Sequence, residues 1–419
     1  MIYIHRAIED FILKNAGSFP CITLYGPRQV GKSTTADVLF GNRFKEVNLD
    51  GLVDRALANQ NPALFLDTYG WPLIIDEVQK ATPLLSEIKK KIDSQRKLWR
   101  EEGKKQELMY VLTGSSRFEL VKAVTESLAG RSAMLEMTYL DQSEVASLKE
   151  KPFTTDIKEL LKREANAQAP KRTRNEIFDD IWGGFMPDVI AGNSDRSVYY
   201  PSYIDSYIQK DIQSILRPEN EIRFRDFMRI MAFRTAQQVV YSDIGNLIGI
   251  DANTAKSWIS LLVSSGMAIL LEPYLPKISK RIVKAPKFYF LDTGLVADLC
   301  GWPSGKMIEF GAMSGAFFET FVVAEIVKNL RNHGIKTEDH LFYYRDIDQK
   351  EVDLLYVDRG EIFPMEIKKS PNPSKPTKNW RVLEKYNQLI LPGLVIDTTD
   401  KITPINAMAY TYPVSLLGL

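Results

Sequence analysis

The stretch from Leu24 to Thr35, LYGPRQVGKSTT, constrains the fold of this chain more than any other. It contains G-P-R-Q-V-G-K-S, which fits the spacing G-x-x-x-x-G-K-[ST], and the apolar run CITLY stands directly before it. A phosphate-binding loop needs this order, because a strand delivers the chain, glycines let backbone N–H groups turn inward, and a helix N-terminus follows. The stretch therefore predicts a strand, a phosphate-binding loop and a helix, KSTTADVLF.

The residues of this loop have separate expected parts in holding a nucleoside triphosphate. Gly26 and Gly31 are the positions at which the backbone must turn freely. Lys32 is expected to reach the β- and γ-phosphates as a catalytic cation, and Ser33 to ligate Mg²⁺. The candidate contacts with ATP are Gly26, Pro27, Arg28, Gln29, Val30, Gly31, Lys32, Ser33 and Thr34.

A second buried strand is predicted by WPLIIDEVQK, in which an apolar run ends at Asp76 and Glu77. Asp76 is expected to hold the hydration shell of Mg²⁺, and Glu77 to polarise the attacking water as the catalytic base. A strand followed by a helix-capping aspartate would give the same pattern. Because WPLIIDEVQK follows a predicted phosphate loop in the same chain, we favour the catalytic interpretation of Asp76 and Glu77.

A third strand, ELMYVLTGSS, ends in polar residues. Ligands of parallel sheets bind at the carboxyl ends of the strands, so Thr113, Ser115 and Ser116 are expected beside the γ-phosphate. The segment ESLAGRSAMLEMTYL then places Arg131 before a further strand. Arg131 would sense the γ-phosphate of its own site or of a neighbouring subunit, or it forms a structural salt bridge. Arg28, inside the loop, is a similar candidate.

The segments GPRQVGKST, LIIDEVQK, LTGSSRFEL and ESLAGR together resemble the AAA+ type ATPases of bacteria and archaea, close to the archaeal-ATPase and STAND branch. The resemblance is strongest over residues 1–140. It implies an α/β fold with a parallel P-loop sheet and a helical lid, with ATP and Mg²⁺ as cofactors. It also implies a homo-oligomer in which an arginine enters a neighbour's site.

The helical lid and a linker are expected over residues 141–220. Residues 141–175 are charged and poor in apolar periodicity, so we expect exposed helix and linker there. The segment YYPSYIDSYIQKDIQSIL has an apolar stripe at helical spacing, which predicts a buried helix face, and the GGFMP turn is expected near the nucleotide. The stripe consists of Tyr203, Ile204, Tyr207, Ile208, Ile212 and Ile215.

A winged helix-turn-helix is predicted over residues 221–300. Two short helices with a turn near Gly249 to Asn253 precede the strand-like SSGMAILLEPY, which is the order of elements in that motif. The second helix presents Asn253, Lys256, Ser257 and Ser260, a thin set for direct base readout. DNA binding and a protein-contact role both stay open. The expected basic wing consists of Lys277, Lys280, Arg281, Lys284 and Lys287.

Residues 301–419 are similar to the PD-(D/E)xK nuclease fold. GAFFETFVVAEIVKNL predicts an amphipathic helix holding Glu319 and Glu325, and Asp353 and the E-x-K of IFPMEIKKS follow on two strands. Side chains two apart on a strand share a face, so Glu366 and Lys368 point together. Glu319, Asp353 and Glu366 form a candidate second metal site with Lys368 beside it. The nuclease-like fold without cleavage activity is an alternative.

Composition restricts the partners. The chain has 419 residues and a formal net charge of +1, so contact with nucleic acid would have to be local. Two cysteines, Cys21 and Cys300, are too few for a disulfide framework or a zinc site. MIYIHRAIEDFILKN is expected to form an amphipathic helix, not a signal peptide, and no run is long enough to cross a membrane. We expect a soluble, cytoplasmic, multidomain protein.

Three functions are consistent with these patterns. The first is a Mg-dependent ATPase that acts as a nucleotide-driven switch or motor on DNA or on an unknown protein partner. The second is an ATP-regulated, metal-dependent nuclease. The third is a slow scaffold in which ATP holds a lid closed, as in STAND-like switches. The carboxyl-terminal half also resembles a domain that accompanies this type of ATPase, without an assigned role.

Overall fold

The first third of the chain is built on a parallel five-stranded sheet in the order β2–β3–β4–β1–β5. The protein is represented by a computed structural model that describes residues 3–114, 117–167, 172–212, 220–275, 285–386 and 388–419. The central strands β3, β4 and β1 are almost completely buried, as parallel strands covered on both faces must be. The strands are β1 (Cys21–Tyr25), β2 (Lys45–Asn48), β3 (Leu73–Asp76), β4 (Tyr110–Gly114) and β5 (Ser132–Glu136).

Helices cover both faces of this sheet and create two hydrophobic cores. Alternate side chains of a strand point to opposite faces, so Ile74 packs in one core while Leu73 and Ile75 pack in the other. The first helix begins at Glu9, later than the sequence predicted. The helices are α1 (Glu9–Ala16), α2 (Lys32–Phe40), α3 (Leu52–Gln60), α4 (Pro62–Tyr69), α5 (Pro83–Glu101) and α6 (Arg117–Leu128), with a 3-10 turn at Val78–Ala81.

A group of helices follows the sheet. The expected apolar stripe is buried from Tyr203 to Ile212, and Ile215 lies outside the described residues. Residues 141–150 depart from the expected exposed linker, because Asp141, Glu144 and Glu150 are buried in a polar network. The elements are α7 (Gln142–Val145), α8 (Ile157–Asn166), α9 (Arg174–Gly183), α10 (Pro187–Ile190), α11 (Arg196–Tyr207) and a π-helical turn at Ile208–Ile212.

Three helices and a small antiparallel sheet come next. Helix α13 ends at Gly249, whose left-handed φ of +70° lets the chain turn sharply into α14. The strands pair in the order β6–β8–β7. The elements are α12 (Glu221–Phe233), β6 (Gln237–Gln238), α13 (Tyr241–Ile248), α14 (Ala252–Ser264), β7 (Ala268–Leu271) and β8 (Lys287–Phe290).

The last part of the chain contains a seven-stranded mixed sheet in the order β14–β15–β13–β11–β10–β9, with β12 paired to β11. Its long helix, α17, is buried on nearly every side, so the expectation of an amphipathic helix was wrong. The helices are α15 (Thr293–Leu299), α16 (Gly305–Phe310), α17 (Ser314–Asn332) and α18 (Thr337–His340). The strands are β9 (Leu341–Arg345), β10 (Glu351–Asp358), β11 (Glu361–Ile367), β12 (Leu389–Ile390), β13 (Gly393–Asp397), β14 (Pro404–Asn406) and β15 (Ala409–Pro413), with 3-10 turns at Trp380–Tyr386 and Val414–Leu416.

One hydrophobic core runs across all of these parts. It extends from Ile8 near the amino terminus to Leu417 near the carboxyl terminus and includes both α12 and α17. The helices and sheets therefore stabilise one another across the boundaries that the sequence suggested. Neither Cys21 nor Cys300 forms a disulfide bond. None of the helices in the described part of the chain is long and apolar enough to cross a membrane.

Candidate functional site

The loop between β1 and α2 has the backbone geometry of a phosphate cradle. Gly26 has a φ of +149°, Gln29 of +60° and Gly31 of +91°, values that bend the chain around a concave space. A Cβ atom built on Gly26 would lie 2.0 Å from the carbonyl oxygen of Met137, so only glycine fits there. Helix α2 begins directly after Gly31, and the first N–H groups of a helix have no partner within the helix, so they are available to an anion.

Lys32 is folded back over the loop. Its side chain is buried, and Nζ donates hydrogen bonds to the carbonyl oxygens of Gly26 at 3.1 Å and Pro27 at 2.6 Å. Burying an ammonium group is costly unless its donors are satisfied, and these two carbonyls satisfy two of its three. The loop thus holds one positive charge at its centre, where phosphate oxygens would bind.

Ser33 and Asp76, the predicted pair of magnesium ligands, are hydrogen-bonded to each other. The Ser33 hydroxyl donates to Asp76 Oδ1 at 2.9 Å, which joins the first turn of α2 to the end of β3. Thr113 Oγ1 also donates to Oδ1, and Asn48 Nδ2 donates to Oδ2 at 3.0 Å. Hydroxyl and carboxylate oxygens are the hard ligands that Mg²⁺ prefers, so this donor set fits the ion. Sequence reasoning missed Asn48, which stands at the carboxyl end of β2, the neighbour of β3.

Glu77 lies beside this pair in a left-handed backbone conformation, with φ of +55°. Such a φ is uncommon for residues other than glycine and is frequent at active sites. The conformation turns Glu77 away from the strand direction, and Gln79 Nε2 donates a hydrogen bond to Glu77 Oε2. The side chain of Gln79 is another contact that the sequence did not suggest.

Arg131 is held away from the phosphate loop of its own chain. It precedes β5, and its backbone carbonyl accepts from Cys21 N at the amino end of β1. The length of a five-residue strand, about 16 Å, separates that end from the loop. Its Nε and Nη2 donate to the two carboxylate oxygens of Asp93 at 2.9 and 3.1 Å, which keeps the pKa of Asp93 below its usual range. The prediction that Arg131 senses the γ-phosphate within its own subunit was wrong, and the structural salt bridge is found.

Other predicted residues of the site have different outcomes. Arg28 is partly buried and contributes to the positive field that lowers the pKa of Asp50, after the hydrogen bond from Lys80. Thr34 lines a cavity next to the loop. Ser115 and Ser116 lie outside the described residues.

That cavity, of about 360 Å³, adjoins the phosphate loop. Its walls come from the segment before α1, the phosphate loop itself, α2, Leu140, and α10 with the residues that follow it. This wall includes Pro187, the last residue of the predicted GGFMP turn. Sequence reasoning missed most of the lining, and the apolar start IYI before the first helix was the available signal. The lining includes Tyr3, Ile4, Val30, Thr34, Val38 and Pro187.

Arg6 attaches the segment before α1 to the loop. Its Nη1 donates to the carbonyl oxygen of Val30 at 2.6 Å, and its Nε donates to Glu144 Oε1 at 3.0 Å. Burial raises the pKa of Glu144 to about 7, although the positive charge of Arg6 opposes the rise. Arg6 therefore links the loop to the buried network after the first sheet.

In the last sheet, Lys368 lies between two carboxylates. Its Nζ is 2.9 Å from Asp353 Oδ2 and 2.9 Å from Glu366 Oε1. Burial and the charge of Asp353 raise the pKa of Glu366 to about 8. Burial opposes the charge on Lys368, but the two carboxylates outweigh it and raise the pKa of Lys368. The structure thus brings together three of the four predicted residues of the second site.

Glu319, the fourth residue, has other hydrogen-bond partners, although it lies close enough for the charge of Asp353 to add to the rise in its pKa that burial causes. Its Oε1 accepts from Lys287 Nζ at 2.8 Å and from the Tyr289 hydroxyl at 2.6 Å. Within the described ranges, no three His, Cys, Asp or Glu side chains are grouped so that they could hold a metal ion. Lysine ammonium groups, not a metal-binding gap, lie against the carboxylates of this region.

The residues of the predicted winged helix-turn-helix have three different outcomes. Asn253, Lys256, Ser257 and Ser260 are exposed on one face of α14. The expected basic wing is wrong at Lys287, which is buried in β8 and paired with Glu319 and Glu351. Lys277, Lys280, Arg281 and Lys284 lie outside the part of the chain that the structure describes.

Family models match three successive parts of the chain. The model described as an AAA domain matches residues 18–146. Two models described as domains of unknown function, DUF8612 and DUF4143, match residues 174–306 and 314–417. The first match covers the phosphate loop, the Ser33–Asp76 pair and all five strands of the parallel sheet.

Two curated relatives are uncharacterized proteins of Mycobacterium bovis and Mycobacterium tuberculosis. Each is 25% identical to this chain over 360 residues, which are 85% of this chain and 71% of the relative. The similarity therefore extends well beyond the AAA domain.

Solved structures are similar to this chain at lower identity. A Walker-type ATPase of Pyrococcus abyssi is 15% identical, with a TM-score of 0.44 over 71% of this chain and 96% of that chain. The ORC2 protein of Aeropyrum pernix is 12% identical, with a TM-score of 0.34 over 70% of this chain and 89% of that chain. Residues 18–146 thus match the AAA domain model and contain a loop with the backbone geometry of a phosphate cradle, and helices and a mixed sheet follow them.

Proposed function

We propose that this protein binds ATP with Mg²⁺, hydrolyses it, and uses the nucleotide as a switch that acts on DNA or on a protein partner. The observation that carries the proposal is the hydrogen bond from Ser33 to Asp76, formed beside a loop centred on Lys32. These are the groups that a bound Mg–ATP complex needs, and they come from two different strand ends.

Each group has a defined part in the proposed reaction. Lys32 binds the β- and γ-phosphates, and Ser33 and Asp76 hold the metal. When bound, Mg²⁺ neutralises the charge that develops on the phosphates. Glu77 accepts the proton of the attacking water, and Gln79 fixes its carboxylate. The cavity beside the loop is of the size of a small-molecule pocket, and Tyr3 and Val38 give it apolar walls for the base.

The target of the switch is proposed from α14. Its exposed face carries Asn253, Lys256, Ser257 and Ser260, all polar and with one positive charge. Such a face suits DNA or a polar protein surface. An arginine from a neighbouring subunit would complete the ATP site only in an oligomer. The pairing of Arg131 with Asp93 gives no support to Arg131 as that arginine.

The nuclease alternative has weaker support. Lys368 neutralises Asp353 and Glu366 directly, and Glu319 is bonded to Lys287 and Tyr289. A metal would have to displace these partners before the carboxylates could bind it. We therefore do not propose cleavage. The slow scaffold is the other alternative, and the rate of ATP turnover distinguishes it from the switch.

Replacing Glu77 with Gln tests the proposal. The substitution keeps the size of the side chain and removes the base, so phosphate release should fall at least about 100-fold while ATP binding persists. Steady-state phosphate release, with and without duplex DNA, and equilibrium binding of a fluorescent ATP analogue are the measurements. Glu101→Gln, the same change on the exposed end of α5, is the control.

The outcomes separate the alternatives. Normal turnover by Glu77→Gln would remove Glu77 from the mechanism. Wild-type turnover that rises with DNA supports a switch acting on DNA. Very slow release that is indifferent to DNA favours the scaffold and a protein partner.

A further inference from the structure

The turn at the end of α14 packs against the phosphate loop. Gly266 in this turn has a left-handed φ of +76°, and a Cβ atom built on it would lie 3.0 Å from both Cγ and Cδ of Pro27. That distance is at the lower limit of heavy-atom contact. The missing side chain of Gly266 is therefore what lets the turn reach the ring of Pro27.

The same turn is bonded to the end of α11. The Tyr207 hydroxyl donates to Ser265 Oγ at 3.3 Å, and Tyr207 is buried. A second, independent contact thus fixes the turn beside the phosphate loop. Three segments far apart in sequence meet there: the loop, the end of α11 and the end of α14.

Pro27 is also the loop residue that Lys32 holds most closely. Lys32 Nζ donates to the carbonyl oxygen of Pro27 at 2.6 Å and to that of Gly26 at 3.1 Å. Phosphate oxygens compete with these carbonyls for the ammonium donors, and charge-assisted hydrogen bonds are the stronger ones. Phosphate binding therefore weakens the contact that holds Pro27, the residue against which Gly266 packs.

Helix α14 is well placed to respond as a rigid body. Trp258 and Leu262 anchor it in the main core, and Trp258 packs edge-on against Phe224 and Phe227 of α12. Close-packed cores transmit a displacement because they cannot absorb it locally. A shift of the turn at Ser264–Gly266 thus moves the exposed face of α14 as well.

We propose that the turn Ser264–Gly266 positions the phosphate loop and couples the nucleotide state to α14. The inference rests on the proposed ATP site and adds its regulation. Coupling between two sites is reciprocal, so a partner that binds α14 changes the affinity for ATP by the same factor as ATP changes the affinity for the partner. Partner binding and ATP binding are linked through Pro27 and Gly266.

A pair of glycine substitutions in the full chain tests the coupling. Gly266 and Gly249 have nearly the same positive φ, +76° and +70°, but a Cβ atom on Gly249 would meet nothing within 4 Å. Both Gly→Ala variants carry the same backbone strain, and only Gly266→Ala presses on Pro27. Gly266→Ala should weaken binding of a fluorescent ATP analogue by about 5- to 150-fold, the usual range of coupling. Gly249→Ala should change it by less than about twofold.

Tyr207→Phe provides a milder variant in case Gly266→Ala fails to fold. It removes the hydroxyl that bonds Ser265 and leaves all backbone angles unchanged, so it should weaken ATP binding in the same direction but by a smaller factor. Equal ATP affinities for wild type, Gly266→Ala and Gly249→Ala, or an unchanged affinity for Tyr207→Phe when Gly266→Ala does not fold, would overturn the proposal.

Hydrogen exchange of the Glu77→Gln protein, with and without Mg–ATP, separates this inference from the proposed function. Protection of residues 26–33 together with changed exchange in residues 258–271 supports both. Protection of 26–33 alone overturns the coupling and leaves the ATP site standing. No protection of 26–33 would overturn the proposed ATP site, and the coupling with it.

Discussion

At the scale of single residues, the proposed chemistry depends on how Glu77 is oriented. Its left-handed backbone and the hydrogen bond from Gln79 fix the carboxylate. Gln79 is itself confined, because a Cβ atom on Gly114 would lie 2.2 Å from Gln79 Oε1. The direction of the Glu77 carboxylate therefore depends on its own backbone after β3, on Gln79 in the 3-10 turn, and on Gly114 at the end of β4.

Replacing Gln79 tests this orientation. Gln79→Ala should lower kcat by about 10-fold, because Glu77 would less often be oriented to accept a proton from water. KM should change little, because the side chain of Gln79 has no part in ATP binding. Gln79→Glu should lower kcat as well, because a carboxylate cannot donate the hydrogen bond that Gln79 Nε2 donates to Glu77. The measurement is kcat and KM across pH. A rise in KM with constant kcat would show that Gln79 acts in binding instead.

At the scale of elements, buried ion pairs join the small sheet to the last one. Lys287 of β8 pairs with Glu319 of α17 at 2.8 Å and with Glu351 of β10 at 2.5 Å. The charge of Lys287 limits the rise in pKa that burial causes at Glu319. Lys287, which the sequence predicted as part of a basic wing, instead connects β8 with α17 and β10.

Replacing Lys287 with Met measures that role. The change removes the buried cation and leaves the largely buried carboxylate of Glu319 without its cationic partner, so the free energy of unfolding should fall by about 3–5 kcal/mol. Lys256→Met, on the exposed face of α14, should change it by less than about 0.5 kcal/mol. Urea denaturation of both variants is the measurement. Equally small losses would mean that Lys287 contributes no more than a surface charge.

At the scale of the whole molecule, a buried polar network joins residues 141–150, which follow the parallel sheet, to α17. Asn329 Nδ2 donates to Glu150 Oε1 at 2.7 Å, and Asn332 Nδ2 donates to Oε2 at 3.2 Å. Burial and the carboxylates of Asp141 and Glu144 raise the pKa of Glu150 from 4.5 to about 11. His333 Nδ1 lies 3.7 Å from Glu150 as well. This raised pKa favours the protonated form of Glu150 in the folded protein at neutral pH, although the hydrogen bonds from Asn329 and Asn332 oppose the rise.

This network predicts a pH dependence of stability. The unfolded state loses the Glu150 proton above its ordinary pKa of 4.5, whereas the folded state keeps it to about 11. The stability that Glu150 contributes is full below the lower value and is lost as pH rises, by up to about 1.4 kcal/mol per pH unit.

Glu150→Gln supplies the comparison, because Gln is neutral at every pH and has the same shape. Between about pH 5 and 8 the wild type should lose stability relative to Glu150→Gln, as measured by urea unfolding at several pH values. Parallel stability curves for the two proteins would contradict the assignment of a proton to Glu150.

The sequence by itself predicted the candidate ATP site where the residues of the motif are contiguous. Gly26, Gly31, Lys32 and Ser33 belong to one strand–loop–helix unit, whose geometry follows from local backbone preferences and the start of a helix. Asp76 and Glu77 were found because a buried parallel strand is a long apolar run, and its end must lie at the same edge of the sheet as the loop. The α/β class was predictable from the sequence for the same reason, because buried parallel strands alternate with helices.

Only the tertiary structure decided the rest. Arg131 pairs with Asp93 at the opposite edge of the sheet, and Lys287 is buried in an ion pair. Asn48 is bonded to Asp76, and Arg6 and Gly266 contact the loop from distant parts of the chain. The sequence around a charged residue does not show at which end of a strand the residue lies or which side chains pack against it. Burial and pairing are set by packing between segments far apart in sequence, and local periodicity carries no record of those contacts.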